Sequence, residues 1–212
     1  MHNHRRVAIF DFDDTLFRGQ SHSYFISYLE SKLPPLKFFY TKIRKRFEPK
    51  AINDRLHKEY LLNPFKGYSE EWIDKIAFDF YNNVIRRRLN KKVLNEFNKH
   101  KSVGDILIIA SGGFDVYLKY FKLEFQPELL ICTKLEFRNG IFTGKFKGEE
   151  VLSENKALQV KLELSEEIIA WQDSYVYSDH ISDLPLFNLV GNKIVVDIGQ
   201  DKNWLAADYK VI

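Results

Sequence analysis

Three aspartates, Asp11, Asp13 and Asp14, fall within four positions at the mouth of the apolar run Val7 to Phe10, with Thr15 directly after them. Carboxylates this close repel unless a positive charge sits among them. Along an extended or tightly turning backbone, residues two apart face the same way, so Asp11 and Asp13 share one ligand while Phe12 packs away and Asp14 points elsewhere. Two or three carboxylates with waters and a phosphate oxygen make the all-oxygen site that Mg²⁺ prefers. The hydroxyl of Ser111, the amide of Gly112 and the ammonium of Lys156 are donors of the kind that hold a phosphoryl group as charge spreads over its oxygens. Asp179 and Asp183, in S-D-H-I-S-D, add two further acids.

These residues reach one place only if particular elements carry them there. Val7 to Phe10, Ile106 to Ala110, Tyr175 to Tyr177 and Lys193 to Asp197 are continuous apolar runs, the pattern of strands buried on both faces. Long helical stretches separate them, which predicts an α/β fold with a parallel sheet. In such a sheet ligands gather at the carboxyl ends of the strands, where D-F-D-D-T, Ser111-Gly112-Gly113 and S-D-H-I-S-D all lie. L-L-I-C-T, around Cys132, reads as a further strand, and Lys134 to Phe146 as a β-hairpin turning at Asn139 and Gly140. About ninety residues without a strand signal separate the first two strands. Within them Ser69 caps a helix with Ile73, Ile76, Phe80 and Val84 at helical spacing, Glu70 and Glu71 at its start, and Arg86 to Arg88 at its end. A crossover of that length exceeds what one helix needs, so residues 18–90 read as a helical cap inserted into a core made of 1–17 and 91–212.

The 212 residues suffice for one substantial domain with such an insertion, and 45% hydrophobic with 29% charged residues is ordinary for a folded soluble chain. No stretch approaches the roughly 18 uncharged apolar residues of a membrane span, and the first residues lack a signal-peptide pattern, so the expected location is cytoplasmic. The single Cys132 excludes an intrachain disulfide and reads as a core thiol. A net charge of +3 does not point to nucleic acid. Its distribution is uneven: residues 34–50 hold six Lys or Arg against one Glu, interleaved with Phe and Tyr. The first expectation for that stretch is a helix with cations in solvent and aromatics turned inward. A site drawing in an anionic substrate, or peripheral contact with an anionic membrane surface, is the other.

The motifs D-F-D-D-T, A-S-G-G-F-D, E-N-K-A and S-D-H-I-S-D resemble, in their order, the four motifs of the haloacid dehalogenase-like (HAD) phosphatases. The insertion between the first two resembles the helical (C1-type) cap of the subfamily containing phosphoserine phosphatase, and N-G-I-F-T-G-K-F resembles the hairpin those proteins carry. The resemblance covers nearly the whole chain. It implies a Rossmann-like core and a Mg²⁺-dependent phosphomonoesterase. Asp11 would be the nucleophile that forms an aspartyl phosphate, and Asp13 the general acid and then base. Thr15 would steady the motif beside the phosphate, and Ser111, Gly112 and Lys156 would hold the phosphoryl oxygens. The metal would be bound by the Asp11 side chain, the Asp13 carbonyl and Asp179, with Asp183 ordering its waters or holding Lys156. Two departures stand out: Asp14 and Ser178 occupy positions where many members have a smaller residue.

Substrate choice belongs to the cap. Arg18, Gln20, His22 and Tyr24 follow the first motif and are placed to face a small-molecule phosphomonoester or to pack the first cap helix. Gln20 stands where phosphoserine phosphatases carry a glutamate that pairs with the serine ammonium, so phosphoserine becomes a runner-up to an amino-alcohol or lipid phosphate. A phosphotransferase and a phosphoryl-accepting module without turnover remain alternatives. His180 reads as a plain loop histidine.

Overall fold

A computed structural model describes residues 5–47, 53–201 and 203–212. Its centre is a seven-stranded sheet in the order β4-β3-β2-β1-β5-β6-β7. The strands are β1 (Val7–Phe10), β2 (Ile106–Phe114), β3 (Leu129–Arg138), β4 (Ile141–Lys147), β5 (Tyr175–Ser178), β6 (Asn192–Val195) and β7 (Tyr209–Val211). Every neighbouring pair is parallel except β3 and β4, which are antiparallel.

The continuous apolar runs are explained by burial on both faces. Ala8 and Phe10 of β1 enter one core cluster while Val7 and Ile9 enter the other, and β2 divides likewise into Leu107 and Ile109 against Ile106 and Ile108. Helices α5 (Lys91–Ser102), α6 (Asp115–Phe125), α7 (Ser153–Glu163) and the short α8 (Leu184–Phe187) supply the covering layers. A buried polar chain pins α5 to the sheet: His100 lies 2.7 Å from Asp105 Oδ2 and 2.9 Å from the Tyr177 hydroxyl, and Arg6 donates to Asp105 Oδ1 at 2.8 Å.

Between β1 and β2 run α1 (Ser21–Ser31), α2 (Pro35–Arg46), α3 (Asp54–Leu62) and α4 (Glu70–Phe80). The Ser69 hydroxyl accepts from the Trp72 N–H as the N-cap of α4, and Ile73, Ile76, Ala77 and Phe80 form its buried face. Past Phe80 the helix widens to one π turn, Tyr81–Ile85, and ends in a 3-10 turn, Arg86–Arg88. Phe25, Leu29, Phe65, Ile73 and Phe80 share a core cluster with Phe10, Phe114 and Tyr117, so the inserted helices and the sheet bury one continuous apolar interior.

Four sequence expectations change here. β2 does not stop at Ala110: it continues to Phe114 through a bulge in which Ser111 pairs with Cys132 and Phe114 with Thr133, leaving Gly112 and Gly113 as the extra residues. The strand at Cys132 and the first arm of the hairpin are one strand, β3, which serves the parallel sheet at one end and β4 at the other. The edge strand β7 was not legible as a strand. Finally, α2 is inverted relative to the expectation: its aromatics Phe39, Tyr40 and the following Phe47 are exposed, while Arg44 lies 3.9 Å from the Tyr60 ring centre, Lys37 4.3 Å from that of Tyr68, and Lys45 pairs with buried Glu30 at 2.9 Å. The ring of Tyr60 on α3, the ring of Tyr68 before α4 and the Glu30 carboxylate on α1 give the cations better partners than solvent does, and that fixes the helix's rotation. Residues 48–50 of the basic stretch lie outside the described residues.

Candidate active site

The carboxyl ends of β1, β2 and β5, with the first turn of α7, surround a cavity of about 380 Å³. Asp11, Asp13, Asp14, Gly112, Lys156, Asp179 and Asp183 line it, together with Gln20, His22 and Lys58 from the inserted segment. β1 delivers Asp11, whose N–H is bonded to Tyr177 O of β5 at 2.9 Å, so the two strand ends are locked side by side. Lys156 is buried and donates to Asp11 Oδ1 at 2.8 Å and to Asp183 Oδ2 at 3.0 Å. Ser178 donates to the same Asp183 oxygen at 2.6 Å. The serine at position 178 thus has a task a smaller residue lacks: it fixes Asp183.

Burial raises Asp11 well above the ordinary carboxylate range; Lys156 pulls it back, and Asp183 and Asp179 push it further up. Burial alone would lower Lys156, but the facing Asp11 and Asp183 carboxylates outweigh it and keep the ammonium charged. Asp179 is pushed up to about 6, chiefly by burial and then by Asp14 and Asp183. Its carboxylate accepts from the Thr15 hydroxyl at 3.3 Å. The lining therefore contains five aspartates against two lysines, and Lys58 is itself paired with Glu150. Of the Asp183 carboxylate, Oδ1 is buried without a hydrogen bond, although Lys156 Nζ lies 2.8 Å away outside hydrogen-bonding directions. A site so short of positive charge, and dominated by carboxylate oxygens, fits a hard divalent cation. Among the described residues no three acidic, histidine or cysteine side chains converge on one point, so such a cation would draw on one or two carboxylates and otherwise on main-chain, water or substrate oxygens.

Asp13 is aimed by α1: its Oδ1 accepts from the Ser21 N–H at 2.8 Å, and His22 Nδ1 lies 3.5 Å from its Oδ2. Asp14 adopts the left-handed conformation, φ 55°, which asparagine, aspartate and glycine tolerate best. Its carboxylate accepts from the Gly19 N–H at 2.8 Å and from Gln20 Nε2 at 2.7 Å, closing the loop into α1. A Cβ added at Gly112 would stand 2.7 Å from Leu152 Cδ2, so any side chain there would have to displace the tip of that leucine. Having no side chain, Gly112 lines the cavity with backbone alone.

Several expected residues lie elsewhere than the sequence suggested. Arg18 is turned to a neighbouring cavity with Asn90, Lys92 and Ile212, since the 14–19 loop reverses the chain and bonds its N–H to Arg88 O. Tyr24 stacks under Arg88, to which its hydroxyl is bonded at 2.9 Å. Thr15 reaches Asp179 rather than the cavity. Ser111 is fully buried, and its oxygen accepts from the Gly113 N–H at 2.9 Å, which fastens the bulge that presents Gly112. Asp183, by contrast, stays in the cavity lining and accepts from Lys156, one of the two partners expected of it, and from Ser178. His180 caps the turn at Ser182, as a loop histidine does, and Cys132 is buried with its thiol pushed up by that burial.

Lys58, Leu152 and Gln200 line the cavity without having been foreseen. Gln200 donates to Asp179 O at 2.7 Å and Val196 O at 2.9 Å, tying the loop after β6 to the acid. No local pattern marks a lone lysine, leucine or glutamine; only the tertiary fold brings them in.

Residues 8–188 match the model of the haloacid dehalogenase-like hydrolase family. The chain belongs to that family. It is 24% identical to a histidinol-phosphatase of Neisseria meningitidis over 97% of this chain and 100% of that relative. A protein of unknown function from Bordetella pertussis Tohama I has the same fold, with TM-score 0.83 and 24% identity over 99% of both chains. A phospho-aspartyl intermediate analogue of phosphoserine phosphatase superposes with TM-score 0.65 and 19% identity, over 92% of this chain and 87% of that one.

Proposed function

We propose that this HAD hydrolase is a Mg²⁺-dependent phosphomonoesterase whose substrate is a phosphorylated amino alcohol of the histidinol phosphate type. The observation that carries the reading is Lys156 bridging Asp11 and Asp183 at the sheet's carboxyl edge, with Asp13 independently aimed by the start of α1. An Asp11 carboxylate oxygen attacks phosphorus, and the bond from phosphorus to the ester oxygen breaks as Asp13 gives its proton to the departing alcohol. Asp13 then takes a proton from water as that water attacks the aspartyl phosphate, releasing inorganic phosphate and restoring Asp11. Lys156 and the bare amide of Gly112 meet the phosphoryl oxygens. Asp11, Asp179 and the Asp13 carbonyl would hold Mg²⁺, which neutralises charge on those oxygens when bound. The helices of 18–90 act as the cap, with Gln20, His22 and Lys58 as its contribution to the cavity.

The charge balance favours an amino alcohol. Lys58 is paired with Glu150, so a substrate carboxylate finds no unpaired lysine in the lining, whereas a substrate ammonium meets an excess of aspartates. Gln20 spends its amide on Asp14 and carries no charge to hold the ammonium of phosphoserine in the way a glutamate does. The end-to-end match to a histidinol-phosphatase supports the same choice. Phosphate release from histidinol phosphate and from phosphoserine, each with Mg²⁺ and with excess chelator, tests it. The expected result is a kcat/KM at least about tenfold higher for histidinol phosphate, a margin of about 1.4 kcal/mol, and loss of both activities in chelator. A preference for phosphoserine contradicts the substrate assignment, and full activity in chelator contradicts the metal.

A further inference from the structure

Helix α2 carries an apolar stripe that the fold leaves uncovered. Leu36, Phe39, Tyr40 and Ile43, with Phe47 just past the helix, recur at spacings of three and four and therefore share one face. Leu36 is 88% exposed, Phe39 64% and Phe47 76%, and Thr41 is the one buried residue of the helix. Globular helices place such a stripe against the core; here the opposite side, with Lys37, Arg44 and Lys45, is the one attached to Tyr68, Tyr60 and Glu30. Arg46 and the half-exposed Lys42, whose ammonium also lies 3.9 Å from Glu30, flank the stripe. Residues 32–47 hold six cations, Lys32, Lys37, Lys42, Arg44, Lys45 and Arg46, and no acid.

We infer that α2 docks this protein onto an anionic lipid bilayer, lying in the plane of the interface with Leu36, Phe39, Ile43 and Phe47 among the acyl chains and Lys42 and Arg46 at the headgroups. Charge decides the occupant. A second copy meeting this face about a two-fold axis would set the flanking Lys42 and Arg46 against their own counterparts, whereas an anionic headgroup layer complements them. The helix is about 18 Å long, enough to lie on a membrane and too short to cross it, and among the described residues no helix is long and apolar enough to span one. None of this depends on the reaction at Asp11.

The test is co-sedimentation of the full chain with vesicles of phosphatidylcholine alone and of phosphatidylcholine mixed with phosphatidylglycerol. The variants are F39S/I43S, which removes part of the stripe, and K42E/R46E, which reverses the flanking charge. The wild type is expected to partition onto the mixed vesicles, more weakly at raised salt, and at least about tenfold more strongly than either variant. F39S/I43S should keep the wild-type circular dichroism and its hydrolysis of a soluble aryl phosphate. Absence of wild-type binding to mixed vesicles overturns the inference, as does a stripe variant that partitions like the wild type. A concentration-dependent dimer that F39S/I43S abolishes, without vesicle binding, overturns it in favour of a second copy.

Discussion

The three crowded aspartates of the first motif prove to have three different surroundings. Asp11 faces Lys156, Asp13 is gripped by the start of α1, and Asp14 closes the loop back to Gly19 and Gln20. Asp14 does its work through a loop whose backbone already needs the left-handed conformation, and glycine adopts that conformation without cost. Asp14→Gly is therefore expected to keep turnover within about tenfold of wild type, while Asp13→Asn loses about 10²- to 10⁴-fold in kcat, the usual worth of a positioned general acid and base. Steady-state kinetics on both variants checks this, and equal losses would overturn the ranking. The spacing of two led to the expectation that Asp11 and Asp13 share one direction and Asp14 points elsewhere, yet all three line the cavity, because the left-handed turn at Asp14 brings it back beside them. What the spacing could not convey was the partner of each carboxylate, because Ser21, Lys156 and Ser178 arrive from other elements.

At the scale of elements, strands were legible wherever both faces are buried, since burial on both sides forces a continuous apolar run. β7, at the sheet edge and with Lys210 and Val211 exposed, is under no such demand and left no signal. The glycines after Ser111 read as the end of a strand, yet they form a bulge inside one, where the ladder resumes at Phe114. α2 shows the limit most plainly. Its composition announces an amphipathic helix, but which side faces the protein depends on Tyr60, Tyr68 and Glu30, all of them outside the helix.

For the whole molecule, the length of the stretch between β1 and β2 was legible as more than a single crossover helix, and α1 to α4 run there. The relation of these helices to the core was not legible. Phe25, Ile73 and Phe80 lie in the same apolar cluster as Phe10, Phe114 and Tyr117, so the inserted helices are expected to unfold together with the sheet. Trp72 sits in the insertion, and Trp171 and Trp204 in the rest of the chain. Urea titrations of a variant retaining only Trp72, and of one lacking only Trp72, are expected to give transitions of the same cooperativity, displaced only by the cost of each substitution. A Trp72 transition of distinctly lower slope would show a cap that melts by itself. Turnover by the proposed route requires Asp11 as the nucleophile. Acid quenching during steady-state turnover, followed by mass spectrometry of the peptides, tests this most directly. A hydroxylamine-labile phosphoryl group on the peptide containing Asp11, absent from Asp11→Asn together with its activity, is the predicted result; undiminished turnover in Asp11→Asn, or a phosphoryl group trapped on another residue, would contradict it.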